Sequence, residues 1–569
     1  MHVAVTRRQH KDKVYETVLL RRSYREDGKV KNETLANLTA LPAETIEVVR
    51  QSLAGKTHVV AGEGFDIARS LPHGHVAAVA AQAQKLGFAA LLGSACAERD
   101  LALALIVARV CAPASKLATT RWWADTTLAV DLGVDGASSD EVYAAMDWLV
   151  ARQDRIEAAL AKRHLQAGSL VYYDLSSSWM EGHCCPLAAR GYSRDRKTGK
   201  TQIEYGLLTD DGGCPVSVEV FAGNTADPSA FIAAVDKVRT KFGLAEVTMV
   251  GDRGMITTAR IEAIKTLGGL GWITSLRAPA IKALAEGAAL QLTLFDETNL
   301  AEISHPDYPG ERLIACRNPA LAAERSRKRG ELAAATEALL APIAAAVEAG
   351  TLKGADKIGL RAGRAVNRYK MAKHFTLDIA DDRFAYTRKA DQIAAEAALD
   401  GIYVIRTNVA AERLDAAAVV EAYKDLANVE RDFWSMKAID LDLRPIYHYL
   451  EDRVRAHVLI CMLAAHLVWH LRKAWAPLCY TDETPPARTD PVAPAAVSAA
   501  ARTKASSHHT ADGDQAHNFA SLLGHLATLT RNTIAFTGGN TIDKLSIPTP
   551  TQRKAFELLG AHAPLTLTP

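Results

Sequence analysis

Leu170-Val-Tyr-Tyr-Asp174 and Val247-Thr-Met-Val-Gly-Asp252 are the two stretches from which this chain is best read. Each is an apolar run of strand length that ends in an acid, and Arg253-Gly254 follows the second. A carboxylate at the end of a buried strand is held rigidly and faces a cleft. A third acid, Glu430, sits inside a helical pattern, Tyr423-x2-Leu426-x3-Glu430-x6-Lys437. At about 100° per residue these four side chains fall within roughly 60° of one another on one helix face. Val429 and Phe433 lie beside them and would anchor that face to a core. Taken alone, the helix also reads as an ordinary amphipathic one with a solvated Glu–Lys stripe. Three converging carboxylates repel one another unless a cation neutralises them. The expected occupant is Mg²⁺, with Mn²⁺ as a substitute, because it takes oxygen ligands and keeps open positions for phosphate.

Tyr423, Glu430 and Lys437 match the Tyr-x2-Arg-x3-Glu-x6-Lys signature at its spacing, and Leu426 stands where the signature has Arg. On this basis the chain resembles the DDE-class transposases of bacterial insertion sequences. Gly191-Tyr-Ser-Arg-Asp195, Gly223-Asn-Thr-Ala-Asp227, Gly251-Asp-Arg-Gly254 and Asp400-Gly-Ile-Tyr-Val-Ile-Arg-Thr-Asn408 are similar to segments of the same group, in the same order. The likeness runs from about residue 165 to about 475, with a looser similarity from about residue 12 onward. It implies that Asp174, Asp252 and Glu430 are catalytic and hold two Mg²⁺ ions. One ion would activate a water, or later the freed 3′-OH, and the other would stabilise the leaving 3′ oxygen. It also implies that Tyr423 and Lys437 contact phosphates near the cleaved end, while Leu426 cannot make the ionic contact of the usual Arg. The expected substrate is DNA, as terminal inverted repeats and as target. Synapsis of two ends implies a homo-oligomer, at least a dimer on DNA. The other readings are an RNase H-like Mg²⁺-dependent nuclease without strand transfer, and a DNA-binding relative that has lost catalysis.

Strand-like segments follow Asp174 at Gln202 to Leu208 and Pro215 to Ala222, joined by Asp210-Asp-Gly-Gly213. A helix from Pro228 to Lys241, the Asp252 strand, a helix from Ile256 to Leu267 and a strand from Trp272 to Leu276 complete the order. This is an α/β arrangement, and the resemblance implies an RNase H-like core, with a mixed insertion before the last acidic helix and a mainly helical N-terminal region. The expected divisions are 1–165, 166–276 and 401–480 (the two parts of the core), 277–400 (the insertion), 481–515 (a flexible linker rich in Pro, Ala, Thr and Ser) and 516–569 (an appendage). Within 1–165, Tyr15 to Lys31 alternates like a short hairpin about Glu26-Asp-Gly28, and Ser138-Ser-Asp-Glu141 starts a helix. In the insertion, Ala289 to Phe295 and Arg312 to Cys316 look strand-like. Leu321 to Glu348 reads as helix broken or kinked at Pro342.

Net charge is only +2, so contact with DNA has to come from local patches. Lys353 to Lys373 holds seven cations and one acid, with Arg361, Arg364 and Arg368 on one side of a helix suited to phosphates. Arg194, Arg196, Lys197 and Arg253 are the other candidate DNA contacts. Adjacent Cys184 and Cys185 suit a reducing compartment and lack the spacing of a zinc site. The N-terminus carries no apolar signal core, and the most apolar stretch, Val458 to Leu471, is too short to span a bilayer. These features point to a cytoplasmic protein, and the resemblance implies a bacterial one, associated with the nucleoid when on DNA. No P-loop, dinucleotide fingerprint or G-x-S-x-G elbow is present.

Overall fold

Strands β1 (His2–His10), β2 (Lys13–Glu26) and β3 (Lys29–Asn37) form an antiparallel meander in the computed structural model, which describes residues 1–568 except 12, 57, 59–63, 296, 297 and 538. Asp27 and Gly28 turn the second hairpin with φ of 51° and 73°, the left-handed pair that a two-residue turn demands. The expected hairpin is therefore present and longer. Residues 1–71 and 531–546 form one compact unit. In it β4 (Phe65–Pro72) pairs in a second three-stranded sheet with strands Thr530–Phe536 and Thr541–Leu545. The region 1–165 is thus not mainly helical throughout. Its first 72 residues are largely strand, because charged residues alternate with Val, Thr and Leu there instead of recurring at helical spacing.

The second unit, residues 72–530 and 547–569, begins with helices Gly74–Lys85, Ala97–Cys111, Ser139–Val150 and Gln153–His164, among shorter ones. Ser138 and Glu141 form a full capping box at the start of the third. Its sheet is built from β5 (Leu170–Trp179), β6 (Gln202–Thr209), β7 (Pro215–Ala222), β8 (Val247–Val250), β9 (Leu270–Ser275), β10 (Leu300–Ile303) and β11 (Arg312–Arg317). A hairpin apart from this sheet, β12 (Phe375–Ile379) with β13 (Phe384–Arg388), precedes the last core strand, β14 (Ile402–Thr407). The order across the sheet is β10-β11-β14-β9-β8-β5-β6-β7. Only β5, β8 and β9 pair in parallel, with Leu170 opposite Thr248 and Val247 opposite Leu270. These central strands are almost wholly buried, and the segments that pair in parallel, Leu170 to Tyr172 and Val247 to Val250, are largely apolar.

The insertion departs from expectation in three places. β10 and β11 extend the main sheet, Arg312 pairing with Thr407, because Leu313, Ile314, Ala315 and Cys316 are all buried there. Residues 292–295 make a 3₁₀ turn, not a strand. The helix Pro319–Glu348 continues through Pro342, since Ala333, Thr336, Leu340 and Val347 are buried on both sides of it and hold the segment in register.

Among the described residues, two helices, Pro319–Glu348 and Glu451–Ala474, are each long and apolar enough to cross a membrane by length and composition alone. The apolar stretch judged too short thus belongs to a 24-residue helix, but 83% of that helix's apolar window is buried inside the protein. The first helix packs its Leu340 and Val347 into a cluster with the helix Ala355–Arg368, and its Glu337 holds Arg388 at 2.6 Å. The stretch 481–515 is packed rather than linker-like. Lys424 donates to the carbonyls of Pro491, Val492 and Ala493, Val492 is fully buried, and residues 499–507 are helical.

Candidate active site

Asp174 projects from the middle of β5, opposite Leu207 of β6, and not from the strand's end, because β5 runs on to Trp179. Asp252 lies two residues beyond β8, in a turn where Gly254 N–H donates to its Oδ2 at 3.3 Å. A side chain at 254 would meet that oxygen at 3.3 Å, so glycine keeps the turn close. Glu430 is exposed on the helix Ala416–Trp434, whose other face buries Val419, Val420, Leu426, Val429 and Phe433. Asp415 caps that helix by accepting from Ala418 N–H at 2.8 Å.

The three acids line one cavity of about 860 Å³. Burial pushes Asp174 up to about 7, helped by the nearby charges of Asp252 and Glu430 and opposed by a hydrogen bond from the backbone and by Arg194. The ionised forms of these groups therefore resist one another in the bare protein.

Cations share the cavity. Arg194 is 2.7 Å from Asp227 and 3.4 Å from the buried Glu204, and its backbone N–H donates to Ser177 Oγ at 3.0 Å. Burial raises Glu204 to about 7. Lys437 is buried and paired at 2.9 Å with Asp195, which also takes Arg444. Burial holds the Lys437 ammonium below its usual range, and the contact with Asp195 offsets only part of that. Lys437 lies just past the α-helix in a π-turn, Ser435–Ile439. The extra residue per turn shifts it off the simple helical stripe, yet it still lines the cavity. Tyr423 is half-buried and donates to Ser275 Oγ at 2.9 Å. Leu426 is 8% exposed and gives the cavity an apolar wall.

The remaining candidates lie elsewhere. Arg196, Lys197 and Arg253 are exposed and do not line the cavity, and Lys197 sits 5.0 Å over the Trp179 ring. Arg361, Arg364 and Arg368 are exposed on the helix Ala355–Arg368, whose inner face buries Ile358, Ala362, Ala365 and Val366. None of the three is in an ion pair among the described residues. Sequence reasoning missed Arg444, which reaches the cavity from beyond the Glu430 helix and lies 5.2 Å over Trp179. It also assigned no role to Asp195 and Asp227, although both stood in the quoted motifs. Two aromatics of the cavity, Tyr192 and Trp434, are 81% and 59% exposed. No periodic pattern marks either one.

Residues 3–63 match the family model described as IS1634 family transposase, N-terminal domain, and residues 182–467 match the transposase DDE domain. The second match contains Asp252 and Glu430 and begins just beyond Asp174. No curated protein matches the chain. Among solved structures, it is similar to the piggyBac transposase synaptic complex with hairpin DNA, at 8% identity and a TM-score of 0.34, over 75% of this chain and 70% of that one.

Proposed function

Because the chain belongs to the DDE transposases of insertion sequences, we propose that Asp174, Asp252 and Glu430 are the acids with which it cuts the phosphodiester bond at each element end and joins the freed 3′ end to target DNA. One observation carries this reading: three carboxylates from a central strand, a turn and a helix line a single cavity beside Arg194, Lys437 and Arg444. Supporting it, the order β7-β6-β5-β8-β9, with antiparallel first pairs and parallel later ones, agrees with the order expected of an RNase H-like sheet.

The residues fit a hard divalent cation. The donors are carboxylate oxygens, and the burial and mutual repulsion that raise Asp174 are relieved by positive charge. Asp174, Asp252 and Glu430 would hold Mg²⁺, which would neutralise charge on the attacking and departing oxygens of an in-line displacement. Arg194, fixed by Asp227 and Glu204, orients toward Asp174 and tempers the acidic field. Lys437 and Arg444 share Asp195 and are poised to exchange it for a phosphate, the cation that Leu426 does not supply coming from Arg444. Tyr423, anchored to Ser275, lines the cavity where it would meet a phosphate near the cleaved end. The exposed arginines of Ala355–Arg368 grip flanking duplex, and pairing of two ends calls for at least a dimer on DNA.

The test uses the full chain, a labelled duplex carrying the element's terminal repeat, and Mg²⁺. Nicking at the repeat boundary followed by products joined to a second duplex is expected. Nicking without joined products would reduce the activity to that of a nuclease, and no Mg²⁺-dependent nicking would end the proposal.

A further inference from the structure

Outside the cavity of the three acids, at the turn between β6 and β7, four soft donors meet. They are His164, the last residue of the helix Gln153–His164; Cys214, in the turn; and His466 and His470, one turn apart on the helix Glu451–Ala474. One donor atom from each lies within 4.8 Å of the other three. The sulfur is 3.4 Å from Nδ1 of His466 and 3.9 Å from Nε2 of His470. Ring centroids of His466 lie 5.1 Å from His164 and 4.9 Å from His470. Cys214 and His466 are essentially buried, at 0% and 1% exposed.

We propose that His164, Cys214, His466 and His470 form a structural zinc site that ties the helical N-terminal part of this unit to the sheet and to the long apolar helix. Three imidazoles and one thiolate are a donor set for tetrahedral Zn²⁺, and a hard ion such as Mg²⁺ disfavours it. With bonds of about 2.0–2.3 Å to zinc, tetrahedral donors stand about 3.5 Å apart, so the observed spacings need only a small closure.

The surroundings are those of a ligand site. Asp210 Oδ2 is 2.8 Å from His164 Nδ1, and its other oxygen accepts from Cys214 N–H at 2.7 Å. One carboxylate therefore orients two of the donors, the outer-shell arrangement that fixes a ligating imidazole. The carbonyl of Pro215 lies 2.8 Å from Nδ1 of His466, the nitrogen that also faces the sulfur, and accepts its proton in the metal-free protein; binding a metal at Nδ1 releases that proton and draws the nitrogen from the carbonyl to the ion. Trp469 donates to Gly212 O at 3.2 Å and holds the helix to the turn. The thiolate and the Asp210 carboxylate together balance the ion's charge. In the sequence His466 and His470 stand at the His-x3-His spacing of half a zinc site, but His164 and Cys214 lie hundreds of residues away, so only the fold assembles the full set. His183-Cys184-Cys185, the neighbouring soft residues in sequence, form no such group among the described residues.

The test strips purified full-length protein with a chelator and titrates it with Co²⁺, then Zn²⁺. One equivalent of Co²⁺ should produce tetrahedral visible bands with a thiolate-to-metal charge-transfer band, and one equivalent of Zn²⁺ should displace it. The carboxylates of the DDE cavity cannot give the thiolate band, so the two sites read out separately. Cys214→Ser should abolish that band. Asp210→Asn should weaken Zn²⁺ binding about 10–100-fold, and His470→Ala, at a half-buried position, by at least as much. Zn²⁺ should raise the melting temperature of the parent and not of His470→Ala. Absence of a thiolate band in the parent, or unchanged affinity in His470→Ala, would overturn the proposal even where Cys214→Ser fails to fold.

Discussion

Asp174 is the residue on which the chemistry turns. Its carboxyl is raised to about 7 by burial, so in metal-free protein the neutral form is the one the fold prefers. A raised acid contributes stability below the unfolded carboxylate range and loses it as pH rises through the folded value. Asp174→Asn should therefore match the parent at pH 4 in EDTA and exceed it by up to about 4 kcal/mol at pH 8, read from urea midpoints. A parent equally stable at both pH values relative to the variant contradicts the burial argument. The same proton competes with the metal: apparent Mg²⁺ affinity should fall about tenfold per pH unit below 7, measured by titration at several pH values. Asp174→Asn and Asp252→Asn should both abolish cleavage while keeping the affinity for terminal-repeat duplex within about threefold, since the amide keeps size and loses the charge that holds Mg²⁺. Cleavage at the parent rate in either variant removes that residue from the set.

At the scale of elements, the helix Ala355–Arg368 divides its labour by face. Ile358, Ala362, Ala365 and Val366 hold it to the helix Pro319–Glu348 and to the β12–β13 hairpin, while Arg361, Arg364 and Arg368 stay exposed, Arg368 with its guanidinium 5.7 Å over the Tyr369 ring. Replacing the three with Ala should leave stability within about 0.5 kcal/mol. Binding to specific and random duplexes should weaken alike, and the log–log salt slope should fall by up to about three phosphates' worth, near 0.9 each. An unchanged slope in filter binding across a salt series would show the face to be merely solvated, and would turn attention to Arg196 and Lys197.

For the whole second unit, the connection between its early helices and its sheet runs through Glu157. This buried carboxylate accepts from Ser217 Oγ at 2.8 Å, Val218 N–H at 3.0 Å and Gln153 Nε2 at 2.8 Å, and pairs with Lys237 at 3.0 Å. Removing one partner of such a buried set strands the others without water. Glu157→Ala should cost about 3–5 kcal/mol in denaturant unfolding. A loss below 1 kcal/mol would mean that helix Gln153–His164 is held by its apolar face and its other polar contacts, such as Gln153 to the Val218 carbonyl.

Local chemistry made much of this molecule legible in its sequence. Apolar runs ending at Asp174 and Asp252 marked central strands, since a parallel sheet covered on both faces leaves little room for polar residues. The Tyr423–Glu430 spacing marked the helix, and Ser138–Glu141 its own helix start, because both are rules of one turn. What the sequence did not announce depends on contacts between distant segments. β10 and β11 joined the sheet because β14 had an edge to fill, and residues 481–515 packed because the carbonyls around Val492 meet Lys424. Arg444 enters the cavity only through the path of the chain after the helix, and His164 meets Cys214, His466 and His470 only after folding. Periodicity reports which face of an element is buried; it carries no information about which other element buries it, and that choice the tertiary structure alone decided.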